Sequence, residues 1–147
     1  VMTDLIIGND HRGVTLKEKL AGWILPPDNS RFNVSLINDV GAQNNGTIDY
    51  PDIVKKFAPK INPNTLGILI CGTGFGVCIA ANRHKNIRAT VCRSVKEVQM
   101  ARRHNNINVL CLGADITSFW QARRLVRSFF LTEFEGGRHQ KRIQKLS

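Results

Sequence analysis

The chain is expected to fold as an α/β domain of three layers, a five-stranded parallel sheet between helices in the Rossmann-like arrangement. Two observations predict it. Short apolar runs alternate with stretches of helical period along the whole sequence, the order that builds a parallel sheet through helical crossovers. The clearest run, Leu66 to Cys71, is apolar throughout, as suits a strand buried on both faces. At 147 residues the chain fits one domain, 1–147, able to bury roughly 68–70% of its unfolded surface without disulfides or metal.

The elements follow in order. Leu5-Ile6-Ile7-Gly8 reads as a first buried strand, stopped by Gly8. Leu16, Leu20 and Ile24 recur at i, i+4 and i+8, giving a helix that ends before Pro26-Pro27. Val34 to Val40 makes a second strand, and the turn-rich stretch Gly41 to Gly46 follows. Pro51 opens a helix carrying Ile53, Val54, Phe57 and Ala58. After the strand Leu66 to Cys71 come three alternate glycines, then a helix over Val77 to Asn82. Arg88 to Cys92 is a fourth strand, and a helix from Ser94 to Arg103 carries Val95, Val98 and Ala101. Asn108 to Gly113 is the fifth strand. Phe119, Ala122, Leu125, Val126, Phe129 and Phe130 mark one face of the next helix. Thr132 to Glu135 has the form of a capping box, but Gly136-Gly137 interrupts it, so a basic helix is placed at about 138–146.

Composition narrows the function. No apolar run reaches the ~20 residues that span a bilayer, and Val1-Met2-Thr3-Asp4 has no basic segment leading into an apolar one. A cytoplasmic protein with no membrane partner is expected. Cys71, Cys78, Cys92 and Cys111 contain no Cys-x-x-Cys pair and no adjacent histidines, which favours reduced thiols over a zinc site. The net charge of +10 raises the question of nucleic acid. Lys and Arg are scattered, however, and no helix-turn-helix or zinc-finger spacing occurs. No nucleic-acid partner is expected. A small phosphorylated substrate would also favour basic residues, confined to one pocket.

In parallel sheets ligands bind outside the carboxyl ends of the strands. That rule singles out Asn9 to Arg12, Cys71 to Gly76, Arg93-Ser94 and the turn beyond Leu112. Cys71-Gly72-Thr73-Gly74-Phe75-Gly76 is the strongest feature. Its glycines let backbone N–H groups converge on an anion or a developing oxyanion. It is not a dinucleotide fingerprint, because the third glycine comes one residue early and Cys92-Arg93 stands where an acid is needed. Val77 excludes a P-loop, which needs Lys there, and a cysteine phosphatase, which needs Arg. Two readings stay open: a thiol whose thiolate the helix N-terminus favours, or an inert cysteine in a tight turn.

The other sites each have a plain alternative. Asp10-His11 can share acid–base work or hold phosphate, or Asp10 can simply cap a helix. His104-Asn105 follows the helix Ser94 to Arg103, at a C-terminus where the macrodipole favours a histidine in any case. Arg138 and Arg142, at i and i+4, can grip a phosphate with bidentate bonds, or form a solvated face.

Taken in order, Gly-Asn-Asp10-His11, Asp49-Tyr50-Pro51, Ile-Cys71-Gly-Thr-Gly-Phe-Gly, Ala-Ala-Asn82, Arg-His104-Asn105, Asn108-Val109-Leu110 and Glu-Gly-Gly-Arg138-His139-Gln-Lys-Arg142 resemble the ribose-5-phosphate isomerase B family. The resemblance spans essentially the whole chain, and the galactose-6-phosphate isomerase subunits share part of the pattern. It implies an intramolecular oxidoreductase, an aldose–ketose isomerase with no metal and no cofactor. The reaction implied is that of the pentose phosphate pathway, between D-ribose 5-phosphate and D-ribulose 5-phosphate through an enediolate. The alternative is a six-carbon substrate, galactose or allose 6-phosphate.

The same resemblance assigns roles. Cys71 is the base between C2 and C1. Val77, where another branch has a glutamate, fits the cysteine-base branch. His104 opens the furanose ring and Asp10 assists at the sugar oxygens. Backbone amides of Gly72, Gly74, Phe75 and Gly76 stabilise the enediolate, while Thr73 and Asn105 contact the sugar. His11, Arg138 and Arg142 match phosphate-binding positions, and Tyr50 lines the pocket. A homodimer or larger assembly with shared active sites is implied. One departure stands out: Asp115 occupies a position where the family commonly has a phosphate-binding arginine. An acid there weakens phosphate binding unless the loop turns away or Arg83, Arg93 or Lys141 substitutes.

Overall fold

The structure, a computed structural model, describes residues 3–26 and 31–146. Val1 and Met2, read above for a leader, and Pro27, read above as a helix stop, lie outside the described residues. Five strands, β1 (Thr3–Asn9), β2 (Val34–Asp39), β3 (Thr65–Cys71), β4 (Ala89–Val91) and β5 (Val109–Gly113), form one sheet in the order β2-β1-β3-β5-β4. Every neighbouring pair is parallel, as the alternation requires.

Among the described residues four α-helices connect them, α1 (Val14–Ile24), α2 (Tyr50–Phe57), α3 (Phe75–Ala81) and α4 (Val95–Asn105), and two more follow β5, α5 (Phe119–Leu131) and α6 (Arg138–Gln144). The period-two rule sorts the strands onto two cores. Leu5, Ile7, Ile68, Ile70, Leu110 and Leu112 point to the face covered by α1, α4 and α5, against Leu20, Val98, Leu125 and Phe129. Ile6, Leu69, Cys71, Val109 and Cys111 point to the other, against Val54 and Phe57 of α2 and Val77 of α3. Fully burying such side chains contributes about 1.5–3 kcal/mol each. Local signals set the ends. Ser94 Oγ accepts from Glu97 N–H at 3.1 Å while Glu97 Oε1 accepts from Arg93 N–H at 2.8 Å, fixing the start of α4. Ser118 caps α5 through Gln121 N–H at 3.1 Å.

The order of strands positions the site. β2 lies on one side of β1 and β3 on the other, so the winding reverses between β1 and β3 and opens a crevice beyond their carboxyl ends. There Asp10 N–H donates to Ile70 O at 3.1 Å, tying the turn after β1 to the end of β3.

Candidate active site and its split

Cys71 is the last residue of β3, level with Gly113 of β5, and is 5% exposed. The chain then turns through Gly74 at φ +85°, a left-handed conformation that favours glycine, before α3 begins. The turn brings Gly74 N–H to 3.2 Å from Cys71 Sγ, donating to the sulfur. Thr73 Oγ1 accepts from Phe75 N–H at 3.2 Å and braces the same turn. Gly113 explains how the loop lies so low. A Cβ there would come within 2.6 Å of the Thr73 carbonyl, so the loop rests directly on the β5 backbone. The Tyr50 ring, at the start of α2, covers Gly76, where a Cβ would meet it at 2.8 Å. Phe75 is 46% exposed, with the Arg93 guanidinium 5.4 Å from its ring centroid.

The turn after β1 completes this end. Asp10 Oδ1 accepts from Arg12 N–H at 3.0 Å, so it does cap its short helical turn. Asp10 is nonetheless inside the crevice and only 6% exposed. His11 Nδ1 sits against the Ile48 peptide, 3.2 Å from its carbonyl oxygen and 3.3 Å from its amide nitrogen. Buried Asn9 holds the floor through Nδ2, which donates to Asp10 O at 2.8 Å and Ala42 O at 3.2 Å. Lys17, 1% exposed, supports the same segment by donating to Ala42 O at 2.7 Å and pairing with Asp39 at 3.0 Å. Asp115 does not stand as a bare acid. Arg12 pairs with it directly over Gly72. Arg12 lies in the stretch that the strand-end rule marks, without a role of its own, and Lys17 lies outside it. For Lys17, a charge beside the Leu16–Leu20 stripe was the only signal.

His104, Asn105, Arg138 and Arg142 are elsewhere in the chain. α4 runs back against the strand direction, and Arg88 Nε donates to Asn106 O at 2.9 Å just before β4 begins. Asn108 O accepts from Gly67 N–H, four residues below Cys71 in β3. The end of α4 is therefore roughly 13 Å from the level of Cys71, at about 3.3 Å per strand residue. Arg102 Nε donates to Thr132 O and Glu135 N–H to Arg103 O, both at 3.1 Å, which holds the approach to α6 at this same lower end. His104 and His139 stack there with ring centroids 4.5 Å apart. Burial first, then His104, Arg138 and Arg142, hold His139 below the usual imidazole range, with Glu135 opposing. A cavity of ≈ 680 Å³ also opens at this end, lined by Arg83, Arg88, Asn105 and Ile143 among others. It lies far from Cys71, so the chemistry of the side chains, and not the size of the hollow, locates the reacting centre.

The remaining thiols behave differently from one another. A hydrogen bond from the Cys111 thiol lowers half-buried Cys78 to about 7, against the cost of its burial. Burial, reinforced by Glu97, raises Cys92 to about 12, and burial raises Cys111 well above the ordinary thiol value.

Comparison with known proteins decides the family. The family model described as Ribose/Galactose Isomerase matches residues 5–146. The chain belongs to the ribose/galactose isomerase family. Within it, the chain is 40% identical to the probable ribose-5-phosphate isomerase B of Mycoplasma genitalium, covering 97% of this chain and 93% of that one. It is 34% identical to ribose-5-phosphate isomerase B of Escherichia coli, over 99% and 95%. The ribose 5-phosphate isomerase B structure from Anaplasma phagocytophilum superposes with a TM-score of 0.91 at 37% identity, over 100% and 98%. The Mycoplasma genitalium enzyme with bound ribulose 5-phosphate gives 0.89 at 37%, over 99% and 95%. The likeness to family members therefore covers both ends of the sheet, and the expected αβα fold is the family's own.

Proposed function

We infer that the chain is an aldose–ketose isomerase converting D-ribose 5-phosphate to D-ribulose 5-phosphate. The observation that carries this reading is the placement of Cys71 Sγ at the switch point, beneath its own turn of backbone amides and 3.2 Å from Gly74 N–H. Proton transfer next to a carbonyl needs a base beside the carbon and donors aimed at the oxygen where charge develops. Cys71 supplies the base. As thiolate it takes the proton from C2 of the open-chain aldose, and the electron pair moves to form the C1–C2 double bond with negative charge on O1. The loop amides from Gly72 to Gly76 hold that oxyanion. The thiol then returns the proton to C1 while the O2 proton passes to O1, so that C2 becomes the carbonyl carbon and the ketose results. Thr73 and Tyr50 line the sugar, Asp10 faces its hydroxyls, and His11 binds the phosphate.

The ring-opening acid His104, the sugar contact Asn105 and the phosphate ligands Arg138 and Arg142 come from a second copy. Their position at the far end of the same sheet supports this assembly, because a single chain cannot bring them to Cys71 without unfolding. Two copies packed so that the lower end of one meets the upper end of the other complete two equal sites. Tight phosphate binding orients the sugar and leaves its reacting carbons over the thiol.

The test is turnover of ribose 5-phosphate by purified protein in excess EDTA, with allose and galactose 6-phosphates in parallel. Efficient five-carbon conversion that Cys71→Ser lowers by about 10²-fold or more supports the reading. Preference for a six-carbon substrate, or near-normal turnover in Cys71→Ser, overturns it.

A further inference from the structure

His104 lies in the last turn of α4, Glu135 in the segment before α6, and His139 in the first turn of α6. One ligand atom from each, two imidazole nitrogens and a carboxylate oxygen, falls within 4.8 Å of the other two. Glu135 Oε2 stands 3.6 Å from His139 Nε2, close yet beyond a hydrogen bond. His139 is 8% exposed, and its Nε2 has no hydrogen-bond partner among the described residues. Buried polar atoms are nearly always satisfied, so a buried nitrogen aimed at a carboxylate and a second imidazole calls for something between them. Two histidines and a carboxylate are the donors of an open zinc site. A tetrahedral ion about 2.0–2.2 Å from each donor would draw them to about 3.5 Å apart, little more than 1 Å of closure. Glu135 is half exposed and free to swing, and the two rings must tilt out of their stack. The backbone around them is held, since Glu135 N–H donates to Arg103 O at 3.1 Å and His139 N–H to Gly136 O at 3.2 Å. Arg138 and Arg142 oppose a cation here, which sets the affinity below that of a closed structural zinc site.

We propose that His104, Glu135 and His139 bind a zinc-class divalent cation, and that the bound ion inhibits isomerisation by withdrawing His104. The inhibitory half rests on His104 as the ring-opening acid; the binding half does not.

The experiment titrates the full-length protein with Co²⁺ as a spectroscopic probe and, separately, follows ribose 5-phosphate turnover against added Zn²⁺. The expected result is one Co²⁺ per chain with visible ligand-field bands and no thiolate charge-transfer band. Glu135→Gln should weaken binding at least tenfold and His139→Ala abolish it. Glu135→Gln should also keep its basal turnover while needing at least tenfold more Zn²⁺ for half-inhibition. A thiolate band, or Co²⁺ binding unchanged in both variants, overturns the site. Normal Co²⁺ binding with no Zn²⁺ inhibition overturns the inhibitory half and counts against His104 as the acid, whereas a protein inactive on every sugar phosphate overturns the isomerase reading alone.

Discussion

Arg12 and Asp115, 103 residues apart in the chain, meet as an ion pair directly above Gly72. Both side chains are about half exposed, so the pair adds little to stability. Its effect is on charge at the mouth of the crevice, where Asp115 occupies one guanidinium that a phosphate would otherwise attract. Asp115→Asn should lower KM for ribose 5-phosphate about two- to fivefold with kcat nearly unchanged, the size expected of an exposed pair of about 0.5–1 kcal/mol. Arg12→Ala should raise KM, and both effects should shrink in high salt. A lower kcat in Asp115→Asn at constant KM would place the acid in the chemistry instead.

Gly113 connects the sheet to the Cys71 turn. A methyl at this position would stand 2.6 Å from the Thr73 carbonyl, and neither backbone has a flexible end to yield. Gly113→Ala should cost about 1–3 kcal/mol of stability and lower kcat more than it raises KM, because the amides shift relative to Cys71. Urea unfolding beside steady-state kinetics separates the two effects. Unchanged kcat in a destabilised protein would show that the turn tolerates the shift.

Lys17 is a buried cation. Replacing it by Met removes the bonds to Ala42 O and Asp39, leaving Asn9 Nδ2 as donor to the first and Gly41 N–H as donor to the second. The expected loss is about 2–4 kcal/mol, read as a lower urea midpoint at unchanged m-value. Activity should fall less than stability, since Asn9 still fixes Ala42 from the other side.

The cysteines give a pH signature. Cys78 ionises near 7 in the folded chain, against an ordinary thiol value of 9.0. Its contribution to stability is therefore present above pH 9 and lost as pH falls through about 7. Cys92, raised to about 12, has the opposite sign: its contribution is present below pH 9 and lost as pH rises toward 12. Native iodoacetamide labelling, mapped by mass, should modify Cys78 with a midpoint near pH 7 and leave Cys92 and Cys111 intact at pH 9. Labelling of Cys78 that is flat from pH 6 to 8 would contradict the Cys111 hydrogen bond.

The middle of the sheet was legible because β1, β3 and β5 are buried on both faces, which leaves unbroken apolar runs such as Leu66 to Cys71. Edges were less so: β3 begins at Thr65 and α4 continues to Asn105, where a polar residue holds a position that periodicity alone does not mark. The Cys71 turn was legible because its chemistry is local, six consecutive residues with glycines in fixed places. His104 was legible as a helix end but not as distant from Cys71, although a helix that returns between parallel strands must end at the opposite edge. Arg12 with Asp115 and Lys17 with Ala42 were invisible for one reason. Pairing across 103 or 25 residues depends on the fold, and composition carries no trace of it.

The division of polar residues between the two ends of the sheet has a genetic meaning. A chain lacking the Cys71 thiol still offers an intact His104, and a chain lacking the His104 imidazole still offers an intact Cys71. Each alone builds only defective sites. Paired together in the two-copy assembly proposed above, they would make one crevice with both lesions and one with neither. Two alleles that are separately null should then rescue each other in one cell, and a random equal mixture should recover about a quarter of the wild-type sites.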